Sequence, residues 1–170
     1  MCGLAGSTSL PEGFLARARR RLRHRGPDGD GEWRDPANGF GLAHARLAII
    51  DLSPAAAQPM VSADGRHVIA FNGEIYNFRA LRAELEAAGE RFRGDGDTEV
   101  LLALLRREGA GGLARVAGMF AFALWDKDKK ELLLARDRLG IKPLYYAPLA
   151  DGGVAFASEI RALKEHPGID

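Results

Sequence analysis

A chain of 170 residues, 46% of them hydrophobic, has enough apolar material for one domain with a real core, or at most two small ones. Its formal charge of +1 excludes a strong general attraction to nucleic acid or to an anionic membrane surface. No apolar run approaches the roughly 18 residues of a membrane span, and no basic-then-apolar leader opens the chain, so a cytoplasmic protein is expected.

Residues 2–6 are small and apolar and suit a buried first strand. After Pro11, Phe14, Leu15, Ala18 and Leu22 recur at helical spacing. The basic run Arg17, Arg19, Arg20, Arg21, Arg23 and Arg25 has no interleaved aromatic residues and reads as a solvated helix face, not a nucleic-acid patch. Residues 24–31 read as a loop, residues 41–51 as an extended β-prone segment with His44 and Arg46 on one face, and residues 53–60 as a second loop. The Asp64-Gly65 turn predicts a strand at 67–71, followed by a loop at 72–76.

Two amphipathic helices follow. Asn77 is placed to cap the first, with its stripe at Phe78, Leu81, Leu85 and Ala88. Asp97 or Thr98 is placed to cap the second, with Val100, Leu101, Leu104 and Leu105 inside. Residues 119–125 with 132–135, and 144–147 with 154–157, read as hairpins, and residues 159–165 as a terminal helix. Strands in hairpins with a few amphipathic helices predict an α+β fold of antiparallel sheet layered with helix.

Cys2 is the only cysteine, so it has no disulfide partner, and the four scattered histidines show no zinc spacing; no metal site is expected. Initiator methionine is normally removed when a residue as small as cysteine follows. Removal would leave Cys2 with a thiol of reference pKa about 8.5 beside an α-amine of about 7.7–8.0, a nucleophile carrying its own base. At residues 71–77 the text reads FNGEIYN. There Asn72 offers a side-chain NH2, and Gly73 offers a backbone N–H that a ligand can approach closely. Fixed donors of this kind stabilise an oxyanion.

Nine stretches in order carry a resemblance: MCGLAG at residue 1, RHRGPDG at 23, LAHARLAIID at 42, QPM at 58, FNGEIYN, GDTEVLL at 96, GMFAFALWD at 118, LLLARDRLGIKPLYY at 132 and FASEI at 156. Together they resemble the glutaminase domain of class II, or N-terminal nucleophile, glutamine amidotransferases, and within that group the glutamine-hydrolysing asparagine synthetases. The resemblance implies a four-layer αββα sandwich spanning residues 1–170. It implies Cys2 as nucleophile and Asn72 with Gly73 as the oxyanion hole. It implies Arg46 for the α-carboxylate of glutamine, which a guanidinium can grip with two parallel bonds. Asp97, assisted by Glu74, would take the α-ammonium, and main-chain groups near Ile49 and Ile50 would border the substrate.

His24 and His44 are expected to make structural hydrogen bonds, Asp28 to hold a loop, and Arg136, Asp137 and Arg138 to support the fold and the approach to a partner domain. The implied function is hydrolysis of glutamine to glutamate and ammonia through a Cys2 γ-glutamyl thioester, as the ammonia-supplying half of an asparagine-synthetase-like enzyme. The alternatives are a low-turnover regulatory or protein-binding domain of the same fold, or an amidotransferase with an acceptor other than aspartate. Family members continue into a synthetase domain that uses ATP and Mg. The 170 residues contain neither an SGGxDS pyrophosphate loop nor a P-loop, so no cofactor is expected here and the synthetase domain is expected to be the partner. Ser7-Thr8-Ser9 is more polar than the family pattern and predicts an early end to the first strand.

Overall fold

The computed structural model of the chain describes residues 1–169. In chain order the elements are β1 (Gly3–Ser7), α1 (Phe14–Leu22), β2 (Gly29–Asp35), β3 (Phe40–Arg46), β4 (Met60–Val61), β5 (His67–Ile75), α2 (Phe78–Ala87), α3 (Asp97–Glu108), β6 (Gly118–Asp126), β7 (Glu131–Arg136), β8 (Tyr145–Pro148), β9 (Val154–Ala157) and α4 (Ile160–Leu163). The strands form two antiparallel sheets, one in the order β2-β3-β1-β9-β8 and the other in the order β4-β5-β6-β7.

Strand alternation sorts the side chains into layers. Leu4, Leu42 and Phe156 of the first sheet meet Val68, Ala70, Ala123 and Trp125 of the second. Phe40 stacks on Trp125 within this inter-sheet core, with ring centroids 4.1 Å apart. One residue along each strand, Ala5, Ala43, Ala45, Ala155 and Ala157 point the other way and are covered by α1 and α4. On the second sheet Ile69, Phe71, Ile75, Phe122 and Leu124 face away from the first sheet and pack under α2 and α3. Helix, sheet, sheet and helix therefore stack in four layers, the αββα sandwich that the resemblance implies.

Several local expectations are corrected. The first strand does not end early: it runs through Ser7, which pairs with Gly41 and Ala155. A strand, β2, begins at Gly29 inside the segment read as loop, and its seven residues pair with β3. Its sequence, GDGEWRD, shows no apolar alternation because β2 is an edge strand with only Asp35 buried. β5 does not stop at Phe71 but continues to Ile75, so Asn72 and Gly73 lie in a strand. Gly73 permits this: a Cβ there would sit 2.4 Å from the Met119 carbonyl oxygen and 2.7 Å from Phe120 Cα on β6.

The caps also differ. Asn77 occupies the cap position of α2, but its side chain instead bridges the Arg115 carbonyl and the Ala117 N–H. Gly96 is the cap residue of α3, and Asp97 is its first helical residue. The terminal helix is only four residues long. Three of the four arginines of α1 are ion-paired at the surface, Arg17 and Arg21 with Glu165 and Arg19 with Asp30 and Glu32, as a solvated helix face would be.

Phe156 is fully buried between the sheets. Phe156→Ala is expected to lower stability by about 3–5 kcal/mol. Urea unfolding checks this: the midpoint falls while the slope is retained.

Candidate active site

The nucleophile candidate belongs to the first sheet. Cys2 immediately precedes β1, whose Gly3 pairs with Ala45 of β3. Its main chain is anchored by Arg25, whose Nε donates to the Cys2 carbonyl at 2.9 Å. Arg25 is itself paired with Glu159 at 3.0 Å. Two residues on, Leu4 donates its N–H to Ser158 Oγ at 3.0 Å and accepts the Ser158 N–H at 2.8 Å. The sulfur lies 3.3 Å from the Leu47 nitrogen, which donates to it, and 3.5 Å from the Leu47 carbonyl. Burial pushes the thiol above its ordinary pKa; the Leu47 N–H, the terminal ammonium, Arg46 and Arg25 pull against it. In this chain that ammonium belongs to Met1, and the nitrogen of Cys2 is a peptide.

The donors belong to the second sheet. In an antiparallel strand alternate residues direct their N–H and C=O to the same edge. The Phe71 N–H goes to Gln58 Oε1 at 2.6 Å, and the Ile75 N–H to Asp97 Oδ2 at 2.9 Å. Both therefore point away from β6, and the Gly73 N–H between them points the same way. β4 covers that edge only at Val68 and Ile69, so the Gly73 N–H opens on the cleft. The Asn72 side chain shares its face with Val68 and Ala70, turned toward the first sheet. It is 1% exposed, and its Nδ2 has no hydrogen-bond partner among the described residues. An orphaned buried donor costs about 1–3 kcal/mol, so its presence beside a cleft marks a place for an acceptor.

Arg46, at the end of β3, donates from Nη2 to the Asp51 carbonyl at 2.5 Å and to the Ser53 carbonyl at 3.2 Å. These bonds hold the guanidinium by one nitrogen and leave the rest of the fork to a ligand. Asp51 ties the same loop to the next one: its Oδ1 accepts the Ser53 N–H at 2.8 Å and its Oδ2 the Asp95 N–H at 2.9 Å. Asp97 follows at the start of α3 with its carboxyl pKa raised, by burial first and by the neighbouring Glu74 carboxylate as well. Ile49 and Ile50 are exposed at the mouth. One cleft brings together all eight residues named from the sequence: Cys2, Arg46, Ile49, Ile50, Asn72, Gly73, Glu74 and Asp97.

A profile of the glutamine amidotransferase domain matches residues 1–170. The chain belongs to this family. It is 44% identical over 171 residues to asparagine synthetase [glutamine-hydrolyzing] 1 of Bacillus subtilis strain 168, which covers 96% of this chain and 26% of that protein. It is 47% identical over 146 residues to asparagine synthetase B [glutamine-hydrolyzing] of Escherichia coli strain K12, covering 85% of this chain and 25% of that one. The chain thus spans about a quarter of the length of these curated relatives. The glutamine phosphoribosylpyrophosphate amidotransferase of B. subtilis, solved with ADP and GMP, has the same fold: TM-score 0.81 at 24% identity, covering 96% of this chain and 43% of that one.

The scattered motifs of this amidotransferase domain converge in space. RHRGPDG supplies Arg25 to the Cys2 carbonyl and Asp28 to the Ala48 N–H at 2.9 Å, so Asp28 does hold a loop, the one that carries the cleft wall. His24 pairs with Glu159 at 2.9 Å on the surface. Asp137 accepts the N–H groups of Phe120, Ile141 and Lys142, so the RDRLGIKP segment is organised around one buried carboxylate.

Residue-by-residue reading gave no role to Leu47, Asp51 or Gln58, although all three line the cleft. The QPM stretch was visible as a motif, yet nothing in it says that the Gln58 side chain reaches a strand N–H. Leu47 acts through its main chain, which side-chain chemistry does not advertise.

With Met1 in place, alkylation of Cys2 by iodoacetamide is expected to be slow at pH 7 and to keep rising above the ordinary thiol pKa, because burial favours the neutral thiol. Removal of Met1 is expected to add an inflection near the α-amine pKa of about 7.7–8.0. Rate against pH, followed by mass spectrometry of the two forms, checks both.

Proposed function

We propose that this domain hydrolyses glutamine to glutamate and ammonia through a γ-glutamyl thioester on Cys2, as the ammonia-supplying half of an asparagine-synthetase-like amidotransferase. The observation that carries the reading is the single cleft where the Cys2 sulfur, the orphaned Asn72 Nδ2, the free Gly73 N–H, the Arg46 guanidinium and the Glu74–Asp97 carboxylates meet. Glutamine presents a matching set: an electrophilic side-chain amide, a carboxylate and an ammonium.

Removal of Met1 gives Cys2 a free α-amine. That amine takes the thiol proton, and the sulfur attacks the side-chain carbonyl carbon of glutamine. Charge gathers on the amide oxygen, where the Asn72 NH2 and the Gly73 N–H stabilise it; losing one such donor typically costs about 3–4 kcal/mol. The α-ammonium returns its proton to the leaving nitrogen, which departs as ammonia, and a thioester remains. Water, deprotonated by the same amine, attacks the thioester carbonyl; glutamate leaves and the thiol is restored.

Arg46 binds the substrate carboxylate with the fork positions it does not spend on Asp51 and Ser53. Asp97 and Glu74 receive the ammonium. Their proximity is unfavourable in the empty site, and a bound cation relieves it. ATP and Mg are expected only in a synthetase region of the longer enzyme. The relatives' names and their greater length support a synthetase region as the acceptor of the ammonia, with aspartate the nitrogen acceptor.

Two experiments test the reading. Acid quenching during turnover is expected to trap Cys2 one γ-glutamyl group heavier by mass spectrometry, and Cys2→Ala is expected to reduce glutamate release to background. Absence of glutamate release from the Met1-processed protein overturns the reading.

Asp97→Asn is expected to raise the KM for glutamine by about 10-fold or more, since a hydrogen-bonded charge contact is worth about 1.5–3 kcal/mol. The sign for stability is opposite. A carboxyl whose folded pKa lies above its unfolded value destabilises the fold once it ionises, at pH values above the unfolded pKa. Thermal melting at pH 7 without ligand is therefore expected to show the Asn variant at least as stable as the parent.

A further inference from the structure

The reaction proposed above needs a sulfur on one sheet and two N–H donors on the other to hold a fixed separation. Misplacement of reacting groups by about 1 Å can cost roughly 100-fold in rate. Hydrophobic packing between the sheets is strong but non-directional and sets no register at this scale.

A directional link exists beside the cleft. His44, in β3 of the first sheet, pairs with Leu4, two residues after the nucleophile. Its ring crosses the interface, and Nε2 lies 2.9 Å from the Phe71 carbonyl of β5. Gln58 holds the other polar group of the same residue: its Oε1 accepts the Phe71 N–H at 2.6 Å, and its Nε2 lies 3.4 Å from Thr98 Oγ1 in the first turn of α3. Phe71 directly precedes Asn72. Among the described residues the other side-chain hydrogen bond between strands of the two sheets, Trp125 Nε1 to Asp35 Oδ2 at 3.2 Å, sits away from the cleft, where Trp125 pairs with Val68.

We infer that His44 is a positioning residue for the oxyanion hole: it bolts the sheet that carries Cys2 to the strand that carries Asn72 and Gly73, with Gln58 closing the clamp on Phe71. The inference rests on the glutaminase reading and adds a residue to it. His44 is fully buried, and burial lowers its pKa to about 4, so the ring is neutral and carries one proton. A carbonyl only accepts, which places that proton on Nε2 and leaves Nδ1 as an acceptor. Nδ1 has no partner. A leucine would fill this apolar interface without a buried unpartnered nitrogen, whose cost is about 1–3 kcal/mol. That the chain carries a histidine here is accounted for by the bond it makes across the interface.

The test compares His44→Leu, which removes the donor, with His44→Gln, which keeps an N–H at similar reach, both made in the protein that releases glutamate. His44→Leu is expected to lower kcat about 10- to 100-fold with KM for glutamine changed less than about threefold, because Arg46 and Asp97 still hold the substrate. His44→Gln is expected to recover most of the loss. In an Asn72→Ala background His44→Leu is expected to lower kcat by a clearly smaller factor than in the parent, since one of the two donors it positions is gone. Should His44→Leu fail to fold, Gln58→Met tests the clamp from its other side with the same three readouts.

A kcat at the parent level in the Leu variant, equal losses in Leu and Gln variants, or full additivity with Asn72→Ala overturns the inference. If the parent itself releases no glutamate, the glutaminase reading fails, and amide exchange decides the clamp separately. Faster exchange at residues 71–73 in His44→Leu but not in His44→Gln supports it; exchange unchanged in both overturns it.

Discussion

The interface between the two sheets is the constraint on which the site depends. Each sheet alone has half of the chemistry: the first brings Cys2 and Arg46, the second brings Asn72 and Gly73. Leu4, Leu42, Phe156, Val68, Ala70 and Trp125 press the halves together. The helices on the outer faces act at one remove, by burying the apolar side of each sheet that faces away from the interface. α3 is the exception, since its first residue, Asp97, is also a wall of the cleft and ties itself to β5 through the Ile75 N–H.

The cleft is a place of incomplete satisfaction. Asn72 Nδ2 is buried without a partner, the Gly73 N–H leaves the sheet edge, and Glu74 and Asp97 face each other as like charges. Each of these is unfavourable in the free protein. Each becomes favourable when a ligand brings an oxyanion and an ammonium to the right places. Stability given up at a site in exchange for preorganised donors is a general feature of enzymes. Around the cleft the opposite holds: Arg25, Asp28, Asp51 and Asp137 are each spent on main-chain groups, and they fix the loops against which the cleft is built.

Much of this was legible in the residues. The apolar stripe of α1 at Phe14, Leu15, Ala18 and Leu22 is buried as its spacing predicts, because a 3.6-residue period leaves one face to hide. The hairpins of β6–β7 and β8–β9 follow from apolar runs broken by turn residues. β2 was invisible because an edge strand needs no apolar alternation: its hydrogen bonds to β3 make it a strand. The end of β5 was misplaced because Asn-Gly is read as a turn pair, whereas here the missing Cβ lets β6 approach. Asn77 takes the cap position of α2 as expected, but its side chain turns to Arg115 and Ala117, and the cap of α3 is Gly96 and not Asp97, because tertiary neighbours decide among the partners open to an Asn or Asp beside a helix.

The sequence by itself determined which chemistry was on offer: one thiol at the terminus, an amide donor beside a glycine, a guanidinium and two carboxylates, in a chain with enough apolar residues to fold. It determined this because chemical type is a property of each residue, independent of its neighbours in space. Only the tertiary structure decided that these groups share a cleft and that Gln58, Leu47 and His44 join them. Those roles consist of distances between residues 13 to 45 positions apart, and such distances exist only once the two sheets have closed on each other.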